Sequence, residues 1–174
     1  MKRSEAYVWL LALASSSAFA HDLDDVGGGG TAPTAGQSVR IVTFGDSTTA
    51  TARDWAPEIK EVYSDCLPAA LARQDIRAVV INAGIGDTTT RQAVARLDRD
   101  VRRHHPDLVV VQFGINDSWI DVDEGKTKPR LTRAEFRRNL TTIARRLKQD
   151  GTEVILMTPN PMRWRDPFYI KAFA

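Results

Sequence analysis

Three short stretches hold the residue types that acyl-transfer chemistry uses. Gly45-Asp46-Ser47-Thr48 offers a hydroxyl in a tight turn. Asn82-Ala83-Gly84-Ile85-Gly86-Asp87-Thr88 offers a glycine-rich run of backbone N–H groups, and Gly114-Ile115-Asn116-Asp117 a side-chain amide. A tetrahedral acyl intermediate needs two or three donors aimed at its developing oxyanion. The Ser47 N–H, an N–H from the second stretch and the Asn116 amide are the candidates. Each stretch alone is an ordinary turn, because Gly, Asp, Asn and Ser are residues that turns favour. What sets them apart is the kind of segment each one follows.

Each follows a strand signal. Val39–Phe44, Ala78–Ile81, Leu108–Phe113 and Glu153–Met157 are short, β-branched or apolar runs, stopped by Gly45, by Asn82-Ala83-Gly84, by Gly114 and by Thr158-Pro159-Asn160-Pro161. Continuous apolar runs of this length fit strands covered on both faces, as in a parallel sheet. Helical patterns separate them. A short one spans 65–73. Arg91–Arg103 carries Val94, Leu97 and Val101 on one face and arginines on the other. Thr132-Arg133-Ala134-Glu135 has the spacing of a capping box, followed by Phe136, Leu140, Ile143 and Leu147 on one helical face and Gly151 as a stop. Segments 53–64 and 118–131 show no clear period. The alternation predicts an open, doubly wound α/β fold, a parallel sheet flanked by helices. In such sheets ligands sit beyond the carboxyl ends of the strands, so the three turns should share one rim.

Composition sets the outer limits. The chain has 174 residues, 43% apolar and 26% charged, with a formal net charge of +2. That suits one globular domain, expected over 39–174. No basic block exceeds pairs such as Arg102-Arg103 and Arg145-Arg146, which argues against a nucleic-acid partner. A single cysteine, Cys66, excludes an internal disulfide framework and a thiolate zinc site, and its apolar neighbours suggest a buried, inert thiol. No stretch reaches the roughly 18 to 20 apolar residues needed to span a bilayer. Lys2 and Arg3, an apolar run from Ala6 to Ala14 and Ala18-Phe19-Ala20 form the pattern of a secretory signal peptide over 1–20, implying a secreted or periplasmic location. Residues 21–38, with Gly27–Gly30 in a row, read as a flexible leader. Its His21, Asp22, Asp24 and Asp25 read as a solvated acidic tail rather than a metal site.

Gly45-Asp46-Ser47, the turn from Asn82 to Asp87, and Gly114-x-Asn116-Asp117 resemble blocks one, two and three of the SGNH (GDSL-type) hydrolases. Order and approximate spacing match from about Val39 to Pro161. The resemblance implies that Ser47 is the nucleophile and first oxyanion donor and Asn116 the side-chain oxyanion donor. Asp46 and Asp117 would tie down their turns, with Gly45 and Gly114 as structural positions of the same motifs. Two departures are visible. Thr48 stands where the family's nickname motif has leucine. In block two an ungapped register puts Asp87 at the oxyanion glycine, whereas a one-residue slip uses Gly86. The donor there is a backbone N–H, and Asp accepts a left-handed φ better than most residues.

The family's last block, Asp-x-x-His, supplies the general base, and it has no counterpart here. The histidines are His21, His104 and His105. His104 and His105 precede the third strand and should sit at the opposite, amino-end rim. The expectation is therefore an exported serine esterase. It would work through an acyl-enzyme on Ser47, on an O-acetyl carbohydrate or a lipid-like ester, with no metal or organic cofactor. The chain would be truncated before the last block, its last strand and helix missing. The alternative is a non-catalytic carbohydrate- or ester-binding module of the same fold. A nucleotide-binding, flavodoxin-like function fits poorly, since the first turn lacks the glycines and lysine of a phosphate loop.

Overall fold

The computed structural model describes residues 38–50 and 61–159. The chain divides between Ser38 and Val39, and the sheet and helices belong to the second unit. Its strands are β1 (Val39–Gly45), β2 (Ala78–Asn82), β3 (Leu108–Gln112) and β4 (Glu153–Met157), all parallel in the order β2-β1-β3-β4. Thr43 lies opposite Asn82, Gly45 opposite Gln112, and Gln112 opposite Met157. The strands therefore end almost level, and the turns that follow β1, β2 and β3 leave from one rim. The chain steps from β1 to one side and then crosses back to β3 on the other. That reversal is the place where open α/β sheets form their ligand crevice.

The helices are α1 (Tyr63–Ala72), α2 (Thr90–Asp100), the single turn α3 (Ile115–Ser118) and α4 (Arg133–Gln149). Val42 and Phe44 of β1 and Val109 and Val111 of β3 form a core with Ala93 and Leu97 of α2, Val101 beyond it, and Ile143 and Leu147 of α4. The alternate residues Ile41, Thr43, Leu108 and Val110 are buried as well. Burial on both faces is why the strand sequences are runs rather than alternations. Each fully buried aliphatic side chain contributes about 1.5–3 kcal/mol.

Local differences from the sequence expectations have identifiable causes. The α2 helix stops at Asp100, three residues early, and continues as a tighter turn over Arg102–His104, ended by His105 at φ +45°. Pro106 follows, and a proline disfavours the α conformation in the residue before it. The helix read as 65–73 starts at Tyr63, and loop 118–131 holds one tight turn, Val122–Glu124. Cys66 is exposed, not buried. On α1 the inward residues are Ser64 and Leu71, and two steps of about 100° carry Cys66 to the opposite side. Loss of hydration and the neighbouring Glu61 carboxylate nevertheless push its thiol up from the ordinary range. The expected signal segment 1–20, the leader as far as 37, and segment 53–60 lie outside the described residues.

Candidate active site

The middle strand carries the first turn. Thr49 and Ala50 donate their N–H groups to the Asp46 carbonyl at 3.1 and 2.9 Å. The buried Asp46 carboxylate accepts the Thr48 N–H at 3.0 Å and the Thr48 hydroxyl at 2.9 Å, so it closes an Asx-type turn around the half-buried Ser47. Gly45 leaves no room for a side chain. A Cβ there would stand 2.0 Å from Thr49 Oγ1 and 2.6 Å from the Gln112 carbonyl oxygen.

The second turn packs on the first, backbone to backbone. A Cβ on Gly84 would lie 2.3 Å from the Ala50 nitrogen. Ile85 N–H donates to the Gly45 carbonyl at 3.1 Å. The Asn82 amide donates to the Thr49 carbonyl at 2.7 Å and to Ser64 Oγ at 2.8 Å, and its oxygen accepts the Gly84 N–H at 2.8 Å. A Cβ built on Gly86 would come 3.9 Å from Ser47 Cβ, which makes these two residues neighbours. Asp87 has φ +56°, and its exposed carboxylate pairs with Arg130 Nη1 at 2.5 Å.

The third turn joins the same loop. The Asn116 amide, buried, donates to the Thr88 carbonyl at 3.1 Å, and Thr88 Oγ1 donates to the Ile85 carbonyl at 2.7 Å. Asp117 accepts the Thr90 N–H at 3.0 Å and the Thr90 hydroxyl, which in turn accepts from Asn139. Burial pushes the Asp117 carboxyl up, against the pull of the Thr90 hydrogen bonds. Ser47, Gly86 and Asn116 are thus linked through one short loop on one rim.

The histidines are elsewhere. The His104 carbonyl accepts from Arg40 Nη1 at 2.6 Å and the Asp107 carboxylate accepts the Arg40 N–H at 2.9 Å, at the amino end of β1. His21 lies outside the described residues. Among the described residues no histidine or carboxylate is hydrogen-bonded to the Ser47 hydroxyl, and no group of three or more His, Cys, Asp or Glu is arranged to hold a metal ion. Nor is any of their helices long and apolar enough to cross a membrane.

Comparison with known proteins identifies the chain. Residues 43–173 match the GDSL-like lipase/acylhydrolase family. This protein belongs to that family. It is 29% identical over 137 residues to an arylesterase of Vibrio mimicus, covering 76% of this chain and 62% of that protein. Identity to an acetylxylan esterase of Geobacillus stearothermophilus is 35% over 81 residues, covering 46% of this chain and 37% of the other. A lipase/acylhydrolase from Enterococcus faecalis has a similar solved structure, with a TM-score of 0.60 and 32% identity, covering 78% of this chain and 63% of that one. The chain spans about half the length of the curated relatives it matches. Those relatives include carboxylic ester hydrolases of the same SGNH/GDSL family.

Two arginines of this GDSL-like chain make contacts beside the site that its sequence motifs do not announce. The pattern of α2 assigns its arginines to the solvent face, yet Arg96 is only 6% exposed. At about 100° per residue it flanks Ala93 at the edge of the inward arc that Ala93, Leu97 and Val101 share, and that position was the available signal. Arg130 spans 43 residues to reach Asp87 and also grips Asp121 through Nε at 2.9 Å and Nη2 at 2.7 Å. Nothing in an aperiodic loop announces such a pairing. Loop 118–131 is closed at its base by Arg130 N–H to the Trp119 carbonyl and Leu131 N–H to the Asp117 carbonyl, at 2.9 and 3.0 Å. An open depression of about 420 Å³ lies along its 121–130 segment.

Proposed function

We propose that this protein is an exported serine esterase in which the Ser47 hydroxyl attacks the ester carbonyl. The alcohol leaves with a proton, and water then hydrolyses the acyl-Ser47 ester. The Ser47 N–H, the N–H of Gly86 (or of Asp87 beside it) and the Asn116 amide would hold the oxyanion. Asp46 and Asp117 act by fixing their turns. The observation that carries this reading is the packing of Gly86 beside Ser47 on a loop whose Thr88 carbonyl holds the Asn116 amide. An O-acetyl carbohydrate is the favoured substrate class, supported by the acetylxylan esterase among the relatives. Export rests on the residue pattern of positions 1–20.

A serine hydroxyl without a base is a weak nucleophile, and losing one member of a triad costs several orders of magnitude. His104 and His105 sit on the far rim, so this chain by itself should hydrolyse p-nitrophenyl acetate little above the uncatalysed rate. The site is therefore tested by covalent capture. Over long incubation at alkaline pH, where solvent hydroxide takes the serine proton, diethyl p-nitrophenyl phosphate should place a diethylphosphoryl group on Ser47 faster than on any other serine, found by peptide mass spectrometry, and the same peptide of Ser47→Ala should remain unlabelled. Asn116→Ala should slow labelling by about 10²-fold, since it removes an oxyanion donor. Labelling of another serine in preference to Ser47, or no labelling of Ser47 even at alkaline pH, would overturn the assignment. Saturable binding of an acetylated oligosaccharide without labelling would favour the non-catalytic binding module instead.

A further inference from the structure

We infer that Arg96 is a positioning residue for the ester site, a clamp that sets the nucleophile turn against the glycine-rich turn. The inference rests on the serine-esterase reading above. The guanidinium reaches all three strand ends that carry the site. Nη2 donates to the Gly45 carbonyl at 2.8 Å, two residues before Ser47, and Nη1 to the Ala83 carbonyl at 2.7 Å, three residues before Gly86. Its Cζ lies over the Phe44 ring, 4.5 Å from the centroid, and over the Phe113 ring, 5.9 Å from the centroid. Phe113 immediately precedes Gly114 and the Asn116 turn.

Gly45 O is shared. It also accepts the Ile85 N–H, so Arg96, the first turn and the second meet at one oxygen. Burying a guanidinium is costly unless its donors are satisfied. Here one carboxylate, Asp100, bonds Nη1 at 3.2 Å and two main-chain carbonyls beside the site take the other bonds, while the buried Nε has no hydrogen-bond partner among the described residues. A planar fork with fixed donor directions can hold two carbonyls at a set separation, which a lysine ammonium cannot. Phe44 and Phe113 pack edge to face at 5.3 Å and restrict the tilt of that fork.

The test compares Arg96→Met and Arg96→Lys with wild type, and with Arg99→Met. Arg99 pairs with the same Asp100 but is largely exposed. The rate of Ser47 phosphorylation by diethyl p-nitrophenyl phosphate, at the same alkaline pH for every variant, is resolved into a maximal rate and a half-saturating concentration. Arg96→Met should lower the maximal rate about 10²-fold with a change under about threefold in half-saturation, as expected for misplaced reacting groups. Arg96→Lys should recover only part of the rate, and Arg99→Met all of it.

Amide exchange supplies a second readout that does not depend on Ser47 chemistry. In Arg96→Met, and to a lesser degree in Arg96→Lys, Ile85 and its neighbours in both turns should exchange at least about tenfold faster, while Val42 and Val109 keep wild-type protection. Unchanged labelling with unchanged exchange would overturn the clamp. So would uniform acceleration across the sheet, which would make Arg96 a general stabiliser. If wild-type Ser47 is not labelled at all, the esterase reading fails, and the exchange pattern alone decides whether the clamp exists.

Discussion

Gly84 and Asp87 sit three residues apart in the same turn and answer to opposite constraints. Gly84 is held by space, because any side chain would drive into the Ala50 backbone. Gly84→Ala should cost about 3 kcal/mol or more, read as a lower urea midpoint, since backbone has little freedom to yield. Asp87 is held by conformation. Asp87→Gly relieves a left-handed φ worth up to about 1–2 kcal/mol in an L residue. It also loses the ion pair to Arg130, whose partner side chain is largely exposed and whose value is about 0–1 kcal/mol. The urea midpoint should therefore stay the same or rise. Residues with a distinctive local signature, Gly45-Asp46-Ser47 and Gly114-x-Asn116-Asp117, could be picked out from the sequence as candidates. Arg130 could not, because its partners are set by contacts distant in sequence, and Arg96 and Cys66 were legible only through their rotation about α2 and α1.

Among the elements, α4 was the most legible, because its start signal is entirely local. Thr132 Oγ1 accepts the Glu135 N–H at 3.2 Å, and the Glu135 carboxylate accepts the Thr132 N–H at 3.0 Å and its hydroxyl at 2.8 Å. The Thr132 N–H, then its hydroxyl, then Arg91 hold the Glu135 carboxyl at about 2, below its ordinary 4.5. A depressed carboxylate stabilises the fold above its unfolded value and loses that contribution as pH falls through the folded one. The urea midpoint of wild type should therefore exceed that of Glu135→Gln at neutral pH, and the gap should close between pH 4.5 and about 2. The end of α2 was less legible. Hydrophobic period carries on through Val101, whereas the effect of Pro106 on His105 reshapes the last turn.

At the scale of the molecule, strand–helix alternation announces a parallel sheet but leaves the order of strands open, because every order buries the same runs. The observed order puts β1 in the interior of the sheet, and β2 and β4 flank the described strands. Val79 on β2 and Leu156 and Met157 on β4 are exposed apolar residues, Leu156 at 52%. Exposed apolar strand edges promote association. Sedimentation velocity over a range of concentrations should show self-association that Leu156→Lys reduces; identical behaviour of the two proteins would count against it. Loop 118–131 has a different bearing on the molecule. Its neck is pinned by main-chain bonds and its tip, 122–129, is exposed throughout. The tip is therefore a detachable accessory, one that directed evolution could shorten, lengthen or graft from a cousin while the strands and turns at its neck are left untouched.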